Sequence, residues 1–379
     1  MIYAGFVIAV IYGILILYLS QGIDRLPIFE MKTQTYFQGF SIIVPFRNES
    51  KNLITLLKSL KDLKYPSERY EIIMVNDDSN DHSVSLIQEF TASNPDLKLI
   101  ILDQKGLSRS PKKEAIKKGI EASSFEWIIT TDADCTVPPK WLNALNQLIN
   151  TNDPKMIVAP VTYGHDTGFL HHFQVLDFLS LQGTTMGSFG QAQKEFLKPF
   201  LCNGANLCYH KEAFKSVEGF KGNDHIASGD DVFLMEKIQE IFPGQVHFLK
   251  SSEAVVETTS QNTWKALISQ RSRWASKTSA YKSIKVKMIG LLVLAYNLLL
   301  IFLFFFGFAG MVPWGSIGLL FLIKFNLDFL LIYKTSKFFK QTDVMRSYFF
   351  SSLIHPFYTV LVSLLSLNKN YRWKERSFR

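Results

Sequence analysis

Cysteine is scarce in this sequence, with three residues in 379, at Cys135, Cys202 and Cys208. They form no C-x-x-C pair, and no histidine lies at metal-ligand spacing from them. That argues against a zinc site, and free thiols suit a reducing compartment. Internal repeats and low-complexity tracts are also missing, so repeat arrays and compositionally disordered regions drop out. Charge is absent from two long stretches. Residues 1–20, MIYAGFVIAVIYGILILYLS, and 288–311, MIGLLVLAYNLLLIFLFFFGFAGM, carry none. A bilayer core takes roughly 20 apolar residues as helix, so both read as membrane spans. Residues 1–20 further lack a basic n-region and a small-x-small cleavage site, which favours an uncleaved anchor over a signal peptide.

Two more apolar stretches follow. Residues 316–333 carry Lys324 and Asp328, and residues 347–367 are uncharged but broken by His355-Pro356. The expected organisation is an anchor (1–20), one soluble domain (38–285), a C-terminal membrane region of two to three helices (288–367) and a basic tail (368–379). The net charge of +8 is concentrated beside the spans. Lys277, Lys282, Lys285 and Lys287 precede the second, and Lys334, Lys337, Lys340 and Arg346 separate the third from the fourth. The positive-inside rule then puts the soluble domain in the cytoplasm. Basic residues that hug membrane segments do not make an aromatic-basic surface, so nucleic acid is not an expected partner. One conflict remains: if all four stretches cross, the basic tail lies outside, against the rule.

The soluble domain alternates β-branched runs with helical patterns. FSIIVPFRNES (40–50), YEIIMVNDDSNDHS (70–83), LKLIILD (97–103) and EWIITTDADC (126–135) read as strands, and PKKEAIKKGIEAS (111–123) as a helix opened by Pro111. Such alternation implies an α/β domain with a parallel, doubly wound sheet, whose ligands bind beyond the C-terminal strand ends. Three strands end in polar or acidic clusters: Arg47-Asn48-Glu49, Asp77-Asp78 and Asp132-Ala133-Asp134. A lone D-x-D can be an exposed turn. At the end of a buried strand, in register with Asp77, it can hold a hard divalent cation, which in turn holds a diphosphate. Mg2+ or Mn2+ carrying a nucleotide diphosphate is the expected ligand.

These motifs resemble those of membrane-anchored, inverting family-two glycosyltransferases, a group that includes polysaccharide synthases and ceramide glucosyltransferases. The resemblance covers residues 40 to about 280. It implies a nucleotide-sugar-binding, Rossmann-like glycosyltransferase A-type domain flanked by transmembrane helices. IIVPFRNE matches the first strand and turn, bringing Pro45, Arg47 and Glu49 to the donor. In VNDDSND, Asp77 matches the carboxylate that reads uracil, with Asn76 in place of the usual Asp and Asp78 in place of Gly. DAD matches the metal motif, Asp134 as ligand and Asp132 assisting at ribose or metal. SPKKEAI matches G-K-x-x-A-L, which places Lys112 near the nucleotide, although Pro111 replaces the Gly. In SGDDVFLMEKI (228–238), Asp231 matches the catalytic base and Asp230 precedes it; carboxylates at a helix start stay ionised. Gln270-Arg271-Ser272-Arg273-Trp274 matches Q-x-x-R-W. Arg273 is then expected on the leaving diphosphate, and Trp274 as an apolar wall. Gly204-Ala205-Asn206 resembles the turn lining the acceptor and donor-sugar pocket, with a plain structural turn the competing reading.

The expected reaction is metal-dependent transfer from a UDP-sugar to a hydroxyl of a membrane-associated acceptor, with inversion. The expected site is the bacterial inner (cytoplasmic) membrane, with the catalytic domain cytoplasmic. Few spans are available for a channel, which favours a lipid acceptor over a growing glycan threaded by a processive synthase; an oligomer or accessory subunit would weaken that argument. Two other classes fare worse. GDD also marks nucleic-acid polymerases, but in a strand-turn-strand, whereas a helical pattern follows it here. A non-catalytic transporter or scaffold would place ionisable groups deep in several spans, and Lys324, Asp328 and His355 are the ones available.

Overall fold

The computed structural model describes residues 2–104, 110–192, 197–223, 226, 229–367, 371–373 and 376–378. The chain opens with helix α1 (Ile2–Arg25). The first half of the α/β domain follows as β1 (Phe40–Phe46), α2 (Leu53–Lys61), β2 (Tyr70–Asn76), α3 (Ser83–Ala92), β3 (Leu99–Asp103), α4 (Pro111–Ala122), β4 (Trp127–Thr130) and β5 (Cys135–Thr136). Next come α5 (Trp141–Asn152), β6 (Met156–Val158), β7 (Val161–Tyr163), α6 (Phe169–Gly190), β8 (Leu207–His210), α7 (Lys211–Ser216) and α8 (Val232–Ile241). The domain closes with β9 (Val246–Phe248), β10 (Val256–Thr258) and α9 (Trp264–Ser276). Helices α10 (Ile284–Phe308), α11 (Trp314–Phe338) and α12 (Tyr348–Ser366) then precede a short hairpin, β11 (Tyr371–Trp373) and β12 (Arg376–Phe378).

The main sheet has the order β3-β2-β1-β4-β8-β6-β9. Its first four strands are parallel, as their alternation with helices predicts. The expectation of an all-parallel sheet fails at β8, which runs antiparallel to both β4 and β6. The reversal has a consequence for the site. Leu207, the first residue of β8, pairs with Thr130, the last of β4. The turn before β8 therefore sits at the same sheet edge as the acidic residues after β4. Pro45 is tolerated in a central strand because β4 pairs only with Phe40–Ile43 of β1; its missing N–H lies past the end of that ladder.

Helices α1, α10, α11 and the segment 342–366 are each long and apolar enough to cross a membrane. The C-terminal region thus holds three such helices. The two charges that interrupt the third apolar stretch pair with each other: Lys324 bonds Asp328 one turn on, and Tyr12 of α1 donates to the same carboxylate. Helix α1 is more than a tether. It crosses α6 at backbone contact, because a Cβ on Gly22 would lie 2.0 Å from the Gly187 carbonyl oxygen and one on Gly190 would lie 1.8 Å from that of Gly22. Buried Lys250 donates to the Ile23 and Leu26 carbonyls and so caps the C-terminal end of α1.

Candidate active site

The strand ends meet in one cavity of about 980 Å³. Pro45, Arg47 and Glu49 enter it from β1, Asp77 from β2, and Asp132 and Asp134 from the turn after β4. Arg47 donates to the Asp77 carbonyl (2.6 Å) and pairs with Asp78 (3.6 Å). It therefore clamps the β2 turn as well as bordering the ligand space. Asp78 adopts a left-handed φ of 54°, a conformation open to Asp and Gly but strained for most residues. Glu49 accepts from Asn52 Nδ2 at 2.7 Å and secures the start of α2.

Lys112 sets a cation against the acidic turn. Its Nζ lies 2.7 Å from Asp132 and 3.2 Å from Asp230, bridging the two halves of the domain. Burial opposes its charge, but those carboxylates hold its pKa above the usual lysine range. Gly204 makes the meeting possible. A Cβ there would come within 2.9 Å of an Asp230 oxygen and 3.5 Å of Lys112 Nζ.

Asp231 caps α8, accepting from the Val232 N–H at 2.7 Å, and is buried. Lys277 contacts both its oxygens, at 3.0 and 3.3 Å. Burial alone would raise the neighbouring Asp230 carboxyl; Lys112, Lys277 and Lys113 together hold it below the usual carboxylate range. Gln270, Arg273 and Trp274 reach the cavity from α9. Arg271 of the same motif is buried, bonds Asp177 of α6 at 2.7 Å and stacks on Trp274 at 4.3 Å. Tyr358 and Val362 of α12 also line the cavity, so an apolar membrane-region helix borders the acidic cluster's own chamber.

Every residue expected at the site lines this cavity except Asn206. Asn206 is fully buried, accepts from Trp141 Nε1 (3.0 Å) and donates to the Pro160 and Ala254 carbonyls (both 2.8 Å). It locks the turn from behind, and Asn203 takes the lining position instead. Asp177, Arg271, Lys277 and Tyr358 were not anticipated as site residues. Arg271 lay inside a quoted motif, and Lys277 had been assigned to the juxtamembrane charge cluster. Asp177 and Tyr358 carried no local signal.

A divalent cation fits the donor set. Asp132 and Asp134 supply hard oxygens, and burial pushes the neighbouring Cys135 thiol well up, away from a competing thiolate. Among the described residues no group of three His, Cys, Asp or Glu side chains could hold a metal by itself. The remaining positions would fall to diphosphate oxygens and water, the usual arrangement for Mg2+. Lys112 is the cation the structure shows on Asp132.

Fold and site together define an α/β domain whose strand-end carboxylates share one cavity with residues of α9 and α12. Residues 41–217 match the model of "Glycosyl transferase family 2". The chain thus carries a family-two glycosyltransferase domain, and the relatives it matches are glycosyltransferases. It is 26% identical over 284 residues to the probable glycosyltransferase YdaM of Bacillus subtilis, covering 70% of this chain and 63% of that protein. It is 24% identical over 353 residues to a poly-beta-1,6-N-acetyl-D-glucosamine synthase of Staphylococcus epidermidis, covering 90% of this chain and 77% of that one. In structure it resembles the mannosyltransferase PcManGT of Pyrobaculum calidifontis in complex with GDP-Man and Mn2+. There the TM-score is 0.55 at 16% identity, over 92% of this chain and 96% of the other.

Proposed function

We propose that the chain transfers a sugar from a UDP-sugar to a hydroxyl of a membrane-associated acceptor, with inversion at the anomeric carbon. The observation that carries this is the chamber itself. Strand-end carboxylates, the Asp231–Lys277 pair and residues of α12 border a single space. Asp77 recognises the uracil, and Arg273 with Lys112 stabilises the departing diphosphate, where negative charge grows. Asp134 with Asp132 would hold Mg2+ or Mn2+, which when bound supplies further charge at the leaving group. Asp231 takes the proton from the acceptor hydroxyl as its oxygen attacks from the face opposite the nucleotide. Lys277 must leave Asp231 for that hydroxyl to enter. No covalent intermediate on the chain is needed.

The acceptor lies at the membrane surface, and a lipid acceptor is the first reading because four apolar helices offer little room for a channel. A processive synthase is the second reading, supported by the Staphylococcus epidermidis relative that spans 90% of this chain. Membranes incubated with a panel of labelled UDP-sugars separate the two. Label in organic-extractable lipid supports the first, label in insoluble polymer the second, and label in neither overturns both.

A further inference from the structure

Helix α6 holds one Asp, Glu, Lys or Arg in its 22 residues, Asp177. Helix α9 holds three basic residues, Lys265, Arg271 and Arg273, and no acidic one. Buried Arg271 must therefore find its counter-charge outside its own helix. Asp177 supplies it: Oδ2 accepts from Arg271 Nε at 2.7 Å, with the two side chains 12% and 5% exposed. Burial alone would raise the Asp177 carboxyl. Arg271 and His355 of α12, whose Nε2 lies 3.7 Å from Oδ1, hold it below the usual carboxylate range. Removing either member of such a buried pair strands the other's charge away from water.

Arg271 passes this constraint on. Its Nη1 donates to Gln270 Oε1 at 2.8 Å and to the Tyr163 hydroxyl of β7 at 3.2 Å, and its guanidinium lies over the Trp274 ring at 4.3 Å. Gln270 and Trp274 are the first and last residues of the Q-x-x-R-W motif, and both line the cavity. With Oε1 accepting from Arg271, the Gln270 amide has a fixed sense, its Nε2 donor turned away from the guanidinium. The Trp274 ring cannot slide without leaving the guanidinium face. One guanidinium thus sets both side chains, and one carboxylate sets the guanidinium. The anchor itself is rigid, because α6 meets α1 at backbone contact. We propose that Asp177 is the positioning residue of this motif: acting through Arg271, its carboxylate holds Gln270 and Trp274 at the cavity wall. This rests on the transferase reading above and names the residue that orders one wall of its site.

The test uses the full chain in detergent micelles and reads amide hydrogen exchange over residues 264–276, with UDP and Mn2+ as the probe. Asp177→Asn keeps the shape and removes the charge. It should speed exchange in α9 by about tenfold, the weight of one charge-assisted hydrogen bond, and leave β1 and β2 protected. UDP affinity should be retained, but UDP with Mn2+ should add less protection to α9 than it does in the parent protein. Arg271→Gln should reproduce the loss. The double variant Asp177→Asn/Arg271→Gln, which strands no charge, should be no worse than Arg271→Gln alone. Unchanged α9 exchange in Asp177→Asn would overturn the proposal. So would equal UDP-induced protection in that variant and the parent when both are UDP-bound, or losses that multiply in the double variant. An equal loss in His355→Gln would also overturn it, because the effect would then run through α12. If Asp177→Asn does not fold, a double variant that folds supports the coupling, and one that does not overturns it. UDP affinity reads the transferase proposal separately: a chain whose α9 responds as expected but never binds UDP keeps Asp177 as the positioning residue and loses the transferase.

Discussion

Asp231 and Asp77 are both buried carboxylates bordering one cavity, and the proposed mechanism gives them different work. Asp231 sits at a helix start against Lys277, whose Nζ occupies the place the proposed acceptor hydroxyl would take. Asp77 sits at a strand end beneath the Arg47 clamp, where a flat base can lie. Asp231→Asn keeps the shape and leaves Asp230 facing Lys277, so the domain should still fold. UDP affinity should change little while single-turnover transfer falls by on the order of 10²–10⁴-fold, the range for a lost general base. Asp77→Asn should weaken equilibrium UDP binding first. Transfer at the parent rate by Asp231→Asn would move the base to Asp230. Asp134→Ala removes a partly exposed carboxylate, the proposed metal ligand, and no core packing. UDP titrations by calorimetry with and without Mn2+ should then become alike; a surviving Mn2+ effect would place the metal elsewhere.

At the scale of elements, the parallel half of the sheet was legible in the sequence, and so was the convergence of its three acidic ends. Period and strand-end polarity are local signals, and β1 to β4 are joined by short local crossovers. The reversal at β8 was not legible. Its partner β4 lies some 80 residues earlier and no local residue encodes the direction of pairing. Helix α6 was missed for a related reason: its apolar and polar residues are mixed around the axis because it is packed on several sides, between α1, α11 and the cavity. That packing depends on glycine. A Cβ on Gly187 would lie 2.5 Å from the Leu19 carbonyl oxygen, which is backbone and cannot swing aside. Gly187→Val should therefore push α1 away from α6 and cost about 1–3 kcal/mol, the range for overpacking. Thermal unfolding in micelles reads this as a lower midpoint; an unchanged midpoint would mean that α1 is an independent tether.

For the whole molecule, the disposition of the helices decides which side the basic tail occupies. Lys334 near the end of α11 bonds Asp24 near the end of α1 at 2.6 Å, and Thr162 of β7 donates to Gln341 at 3.0 Å. The turn between α11 and α12 therefore lies on the domain face of the membrane, together with the 277–287 cluster, as the positive-inside rule asks. The turn between α10 and α11, at Gly310–Pro313, faces the other side. Helix α12 starts on the domain face, and its middle packs on α9 and borders the active-site chamber through Tyr358 and Val362. A helix crossing squarely would carry those residues to mid-bilayer, away from a helix as charged as α9. We therefore expect α12 to run along the domain face, which keeps the tail inside and removes the conflict with its charge. The measurement is single-cysteine labelling with a membrane-impermeant reagent, with Cys202 changed to Ser and the buried Cys135 and Cys208 left in place. Ala280→Cys and Thr342→Cys, both exposed, should be protected in intact cells and label after lysis. Met311→Cys, at 66% exposure, should label from outside. Ser377→Cys in the tail should behave as Ala280→Cys does. Labelling of Ser377→Cys in intact cells, with Ala280→Cys protected, would show that α12 crosses after all. The acceptor would then approach the chamber from within the bilayer and not along its surface.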